Sequence, residues 1–200
     1  QIKNYRIISN PGCYPTSIQL PLLPLIKNNL IKNDVIIDSK SGYSGAGKNF
    51  EKKFSHKNLF KSIFNYGVKY HKHMAELDQE ILKIKKTNYI FIPQVIPTFR
   101  GILSTMHVEL NKNVSIKLLH SKLNKYHKKN KFITVCKLNE PISTGSVLNT
   151  NRCLISICET RIKNKITIFS AIDNLQKGAS GQAVQNMNIL FNFKENLGLK

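Results

Sequence analysis

Three stretches of the chain hold residue types that could do chemistry at a useful spacing. The first is N-P-G-C-Y-P-T-S, residues 10–17. Pro11 and Gly12 make a tight turn, and Pro15, Thr16 and Ser17 suit the first turn of a helix, where an unbonded or missing N–H is tolerated. Cys13 then stands at or just before a helix N-terminus, whose partial positive charge favours thiolate over thiol. A cysteine so placed is a candidate nucleophile; a buried, inert thiol is the competing reading and the commoner fate of a free cysteine.

The second stretch is N-Y-G-V-K-Y-H-K-H-M-A-E-L-D-Q, residues 65–79. His71 and His73 alternate, so on a strand they would share one face, and Glu76 lies one helical turn beyond His73 if a helix begins there. A carboxylate at that distance can orient an imidazole and raise its basicity. Three readings stand side by side: His73 as a general acid/base supported by Glu76, a metal pair from His71 and His73 with no third ligand nearby in sequence, and solvated histidines at a strand–helix junction. The third stretch is S-G-Y-S-G-A-G-K, residues 41–48. Gly42, Gly47 and Lys48 nearly spell a phosphate-binding loop, but Asn49 stands where a magnesium-holding Ser or Thr is required, which argues against a nucleotide triphosphatase. The loop's backbone N–H groups could still serve an anion or a cofactor; a flexible surface turn is the alternative.

Positioning these residues takes alternating helices and strands. Residues 1–9 read as a short strand or linker into the turn. Residues 18–30 read as a helix that Pro21 and Pro24 should kink or displace. Val35-Ile36-Ile37 reads as a short buried strand running into the glycine-rich loop. Helical spacing continues through Leu77, Ile81 and Ile84. Residues 88–110 hold two apolar runs joined by P-T-F-R-G, expected as adjacent strands; Arg100 in the link is available to a carboxylate or phosphate, or is spent on a surface salt bridge. Residues 114–126 have the spacing of an exposed amphipathic helix, and 131–137, 153–159 and 165–172 are strands, the last two a hairpin. Gly178 and Gly181 precede a closing helix that carries Ala183, Val184, Met187 and Leu190. Glycines there allow close approach of a ligand or a strand, and ordinary helix packing would explain them equally.

Composition narrows the class. At 41% hydrophobic the chain is globular, with no apolar run long enough for a membrane span and no signal-peptide pattern. It starts at Gln1 without Met, as a fragment would. The formal charge is +20, but Lys and Asn are spread along the whole chain and no nucleic-acid motif accompanies them, so a lysine-rich surface is the favoured reading. An anionic substrate would be well served by such a field. Cys13, Cys136, Cys153 and Cys158 form no C-x-x-C pair, which points to a reducing cytosol and a cytoplasmic location. Cys153 and Cys158 are expected as apolar fill in a strand.

The order and wording of five stretches go beyond any one of them. N-P-G-C-Y-P-T, S-G-Y-S-G-A-G-K, H-K-H-M-A-E-L, P-Q-V-I-P-T-F-R-G-I-L and D-N-L-Q-K-G-A-S-G-Q-A-V-Q-N, spread from residue 10 to 188, resemble the N-acetyl-gamma-glutamyl-phosphate reductase family. The resemblance implies an α+β fold, a mixed sheet with helices on one side. It implies a catalytic and dimerisation domain over residues 1–172, with residues 173–200 forming a helix that returns to a dinucleotide-binding domain. It implies NADP(H), a small-molecule acyl phosphate as substrate, a homo-oligomer, and no nucleic-acid or membrane partner. By the same resemblance Cys13 is the nucleophile, His73 the acid/base and Glu76 its support, with Ala75 where the family usually has Pro. Arg100 and His71 would meet the substrate, and Ser41, Gly42, Gly178 and Gln182 would approach the cofactor; no metal is implied. No strand–G-x-G-x-x-G unit precedes Cys13, so the chain reads as the catalytic half. A related aspartate-semialdehyde-type dehydrogenase, or a non-catalytic remnant, are the alternatives.

Overall fold

The computed structural model describes residues 2–47, 50–55 and 57–200; Lys48 and Asn49, on which the phosphate-loop reading turns, lie outside them. The chain opens with a single helical turn, Ile2–Asn4, and residues 5–9 follow without regular structure, so the opening is linker and not strand. Helix α1 (Cys13–Lys27) then runs unbroken through both Pro21 and Pro24, contrary to the expected displacement. The reason lies elsewhere in the chain. Pro24 has no N–H to give to the carbonyl of Leu20. His127 Nε2 lies 2.9 Å from that carbonyl oxygen and donates to it, while Asn130 Nδ2 donates to His127 Nδ1 at 2.9 Å. Burial pushes the His127 pKa down, which keeps the ring neutral and suited to this one-donor, one-acceptor role.

The remaining elements follow in order: β1 (Asp34–Gly42), α2 (Phe50–Lys53), β2 (Phe64–Asn65), α3 (Met74–Leu82), β3 (Asn88–Ile96), β4 (Ile102–Glu109), α4 (Ile116–His127), β5 (Ile133–Val135), β6 (Cys153–Glu159), β7 (Lys165–Ile172) and α5 (Gly181–Leu190). The seven strands form one mixed sheet in the order β2-β3-β1-β4-β7-β6-β5. β3 and β4 are therefore not neighbours, as the sequence had suggested. β1 lies between them, parallel to β3 and antiparallel to β4. Two strand spacings amount to about 10 Å, which a five-residue link spans easily. That link is fastened to the end of β1: Gly42 N–H donates to Gly101 O at 2.8 Å and Tyr43 N–H to Thr98 O at 2.9 Å. β6 and β7 form the expected antiparallel pair.

The helices gather on one face of the sheet, which gives the α+β class its core. Ile18, Leu22 and Leu25 of α1, Leu77 and Ile81 of α3, and Leu119 and Leu123 of α4 close over Ile37, Phe91, Ile102, Met106, Ile155 and Ile168, all at most 1% exposed. α4 is thus amphipathic but docked, with a buried stripe. The opposite face is open. Ile36, expected to be buried with its neighbours, is 45% exposed, and Ile90 beside it is 55% exposed, because a strand turns successive side chains to opposite faces. Cys153 is fully buried, as expected of a filler, and Cys158 is half-buried. Among the described residues no helix is long and apolar enough to cross a membrane.

Candidate active site

Gly12 caps α1 in an extended conformation and Cys13 is its first helical residue. Thr16 N–H makes the first helical bond, to Gly12 O at 2.9 Å, so the amides before it are unpaired within the helix. The N–H groups of Cys13 and Tyr14 reach the Cys13 sulfur and favour thiolate, as does the charge of Lys72. In the folded chain burial outweighs these effects and, aided by the nearby Glu76 carboxylate, pushes the thiol pKa above its ordinary value. Cys13 therefore rests as a thiol and needs a base.

The His73 imidazole stands directly over the cap. A Cβ built on Gly12 would come within 2.5 Å of His73 Nε2, so the imidazole occupies the space that any larger residue at position 12 would take. Burial and the Lys72 charge lower the His73 pKa to about 4, which leaves the ring neutral near pH 7 and free to accept a proton. Its Nδ1 is buried and has no hydrogen-bond partner among the described residues. His73 is not on a strand, yet its ring lies 4.9 Å from that of His71 and the two face the same space. Both lie in the turn that leads into α3, where His71 Nδ1 accepts the His73 N–H at 3.1 Å. His71 thus shapes the turn that presents His73, and burial lowers its own pKa to about 4. No group of three His, Cys, Asp or Glu side chains that could hold a metal gathers among the described residues.

Glu76 supports the site differently from the expectation. Its Oε2 accepts the Gly12 N–H at 2.8 Å instead of meeting an imidazole, and so ties the first turn of α3 to the cap of α1. Gln19 Nε2 reinforces the tie by donating to Glu76 O at 3.1 Å. Two tyrosines that the motif reading passed over complete the wall. The Tyr66 hydroxyl donates to the Tyr14 hydroxyl at 3.2 Å, which donates to Gln94 O at 3.1 Å, and both rings pack edge-on against His71. The signal available in sequence was position alone: Tyr14 follows the cysteine, and Tyr66 opens the histidine segment.

Cys13, Ser41, Gly42, His71 and His73 line one cavity of about 270 Å³, together with Tyr14, Tyr66, Tyr70, Lys53 and Lys72. The donors of Ser41 and Gly42 are nonetheless engaged by the fold. Ser41 Oγ donates to Gly42 O at 3.0 Å, and a side chain at Gly42 would strike Phe99 O at 2.6 Å, so Gly42 serves the close passage of the β3–β4 link. Gly178 packs against Cys13 itself: its Cβ would stand 2.7 Å from Cys13 Cβ. Gln182 lies outside the cavity and donates to Thr16 Oγ1 at 3.2 Å. Arg100 also lies outside it. Its Nη1 donates to Asn149 Oδ1 at 2.7 Å and pairs with Asp173 Oδ2 at 3.4 Å, an aspartate that is fully buried.

A family model, the semialdehyde dehydrogenase dimerisation domain, matches residues 13–174. The chain belongs to the semialdehyde dehydrogenase family. It is 42% identical over 200 residues to the N-acetyl-gamma-glutamyl-phosphate reductase of Thermoanaerobacter sp. (strain X514), a match that covers 99% of this chain and 58% of that relative. It is 41% identical to the probable chloroplastic N-acetyl-gamma-glutamyl-phosphate reductase of Arabidopsis thaliana, across 99% of this chain and 50% of the relative. This semialdehyde dehydrogenase chain thus spans between half and three-fifths of the length of these relatives. Its fold is similar to that of aspartate semialdehyde dehydrogenase II from Vibrio cholerae, with a TM-score of 0.70 at 17% identity, over 96% of this chain and 64% of that one. A probable aspartate-semialdehyde dehydrogenase from Pseudomonas aeruginosa aligns with a TM-score of 0.72 at 14% identity, over 92% and 62%. By name, these relatives and neighbours are oxidoreductases.

Proposed function

We propose that the chain is the catalytic and dimerisation part of an enzyme that reduces N-acetyl-glutamyl 5-phosphate to N-acetyl-glutamate 5-semialdehyde in arginine biosynthesis, with NADPH as reductant, in a cytoplasmic setting. The observation that carries this reading is a neutral imidazole, His73, set over the cap of a helix whose first residue is the thiol Cys13, in a chain whose curated relatives bear that reductase's name. His73 takes the thiol proton as Cys13 sulfur attacks the acyl carbon. The bond from carbon to the phosphate oxygen breaks, and the released phosphate takes up a proton from water. A thioester on Cys13 remains. When bound, a nicotinamide would supply the hydride by which the Cys13 thioester becomes a thiohemiacetal. His73 gives its proton to the oxygen at that stage, takes it back when the C–S bond breaks, and returns it to Cys13 as the aldehyde leaves. Gly178 fits a cofactor at this flank, since it covers Cys13 with no side chain; Gln182 and residues 173–200 would face the dinucleotide-binding remainder of the protein.

The test is the intact mass of the protein after brief exposure to N-acetyl-glutamyl phosphate. An acyl adduct that is absent in Cys13→Ser is the expected result. No adduct on the assembled enzyme, or faster acylation by aspartyl phosphate, would overturn the reading, the latter in favour of an aspartate-semialdehyde-type enzyme. The homo-oligomer belongs to the same proposal: the open sheet face, a trough of about 640 Å³ around Ile36, Ile90 and His107, is the surface a second copy would cover. Ile36→Asp with Ile90→Asp should yield monomers in sedimentation; an unchanged mass would place the interface elsewhere.

A further inference from the structure

The proposed reaction needs a cation for the phosphoryl group of its substrate, and the two groups that the motifs offered are unsuited to that task. Arg100 is turned away from the cavity and held by Asn149 and the buried Asp173. His71 does line the cavity, but its Nδ1 is occupied by the His73 N–H and its ring is neutral near pH 7. Among the described residues two full positive charges remain on the cavity wall, Lys53 and Lys72, and no carboxylate lines it. Lys53 Nζ already donates to Ala46 O at 2.9 Å. Lys72 sits between the two histidines, is exposed at the mouth, and makes no hydrogen bond or ion pair with the described residues. Its charge reaches the reacting groups, since it favours the thiolate of Cys13 and disfavours a proton on His71 and His73.

We infer that Lys72 binds the phosphoryl group of the incoming substrate in the Cys13 cavity and stays with it as it departs, with Lys53 as the second, weaker cation. This rests on the acyl-phosphate reading above. A lysine ammonium is a compact charge that meets phosphate through charge-assisted hydrogen bonds. Negative charge grows on the bridging oxygen as the carbon–oxygen bond breaks, so a fixed cation there stabilises the transition state more than the bound substrate. The same placement makes Lys72 a specificity-determining residue: an uncharged ester or amide would gain nothing from it.

Cys13 serves as its own reporter. In the unmodified protein, inorganic phosphate should slow alkylation of Cys13 by iodoacetamide, and anionic iodoacetate should react faster, relative to neutral iodoacetamide, than it does with a free thiol. Lys72→Gln should remove the phosphate protection and lower the iodoacetate-to-iodoacetamide ratio several-fold. Lys53→Gln should do so to a smaller extent. The iodoacetamide rate without phosphate reports whether each variant keeps its pocket. Protection and ratio unchanged in Lys72→Gln would overturn the assignment. The two readings fail separately. Acylation of Cys13 by N-acetyl-glutamyl phosphate with phosphate protection intact in Lys72→Gln sinks the lysine alone; loss of protection in Lys72→Gln with no acylation of the unmodified protein supports the anion site and sinks the acyl-phosphate reading.

Discussion

The two faces of β1 differ more than its sequence does. On the covered face Val35 and Ile37 sit in the core and give way, towards the strand's end, to Ser39 and Ser41. Ser39 Oγ donates to Ser104 Oγ at 2.8 Å, Ser104 meets Ser17 Oγ at 2.7 Å, and Ser17 donates on to Tyr14 O at 2.9 Å. This buried hydroxyl chain joins the sheet to the first turns of α1, one residue from Cys13. On the open face Asp38 pairs with Lys40 at 2.5 Å, and Ile36 lies bare next to Ile90. One face closes all its polar groups inside the monomer and so holds a site in place; the other leaves an apolar strip that only another surface can bury. The lesson is that a strand's two rows of side chains can carry separate tasks, site geometry and association, and be altered separately.

Substitutions test that separation. Ile37→Ala, fully buried, should lower stability by about 2–5 kcal/mol in urea unfolding, whereas Ile36→Ala, one residue away, should change it by less than about 0.5 kcal/mol at a dilution where the chain is monomeric. Equal losses would show that the faces are not independent. Gly12→Ala comes next. Its Cβ would meet His73 Nε2 at 2.5 Å, so the ring must move, and acylation of Cys13 should slow by about 100-fold while association is untouched. Ser104→Ala should cost about 1–3 kcal/mol, because Ser17 and Ser39 lose their shared partner in a buried place. The remaining test is with pH. His71 and His73 have folded pKa values near 4 against an ordinary 6.5, so between these values the unfolded chain binds more protons than the folded one. The stability these two imidazoles contribute is therefore fully present above pH 6.5 and is lost as pH drops towards 4. Denaturant midpoints measured across that window should fall less steeply in His73→Gln than in the unmodified chain.

What could be read in advance was local. The turn before Cys13, the spacing of the histidines and Glu76, and the β6–β7 hairpin all depend on residues close in sequence, and the chain folds them as their types dictate. What could not be read depends on partners far away. β1 is inserted between β3 and β4 because its two ladders are made with residues 88–96 and 102–107. Pro24 of α1 is tolerated because His127 takes the place of its missing donor. Arg100 looked free because Asp173 follows it by 73 residues. The resting state of Cys13 was misjudged for the same reason: the helix N-terminus is visible in the motif, but the burial that outweighs it comes from the rest of the fold.

The contact between Gly178 and Cys13 also sets an order of events during synthesis. The thiol leaves the ribosome before the glycine that packs over it, which follows about 165 residues later. At bacterial or eukaryotic elongation speeds that interval is roughly 10–30 s. Until it has passed, the Cys13 sulfur lacks the backbone that packs over it in the finished fold, and it is more open to oxidants than it will be later. The thiol is thus most exposed before the fold is complete, and the turn that carries Gly178 is what ends that exposure.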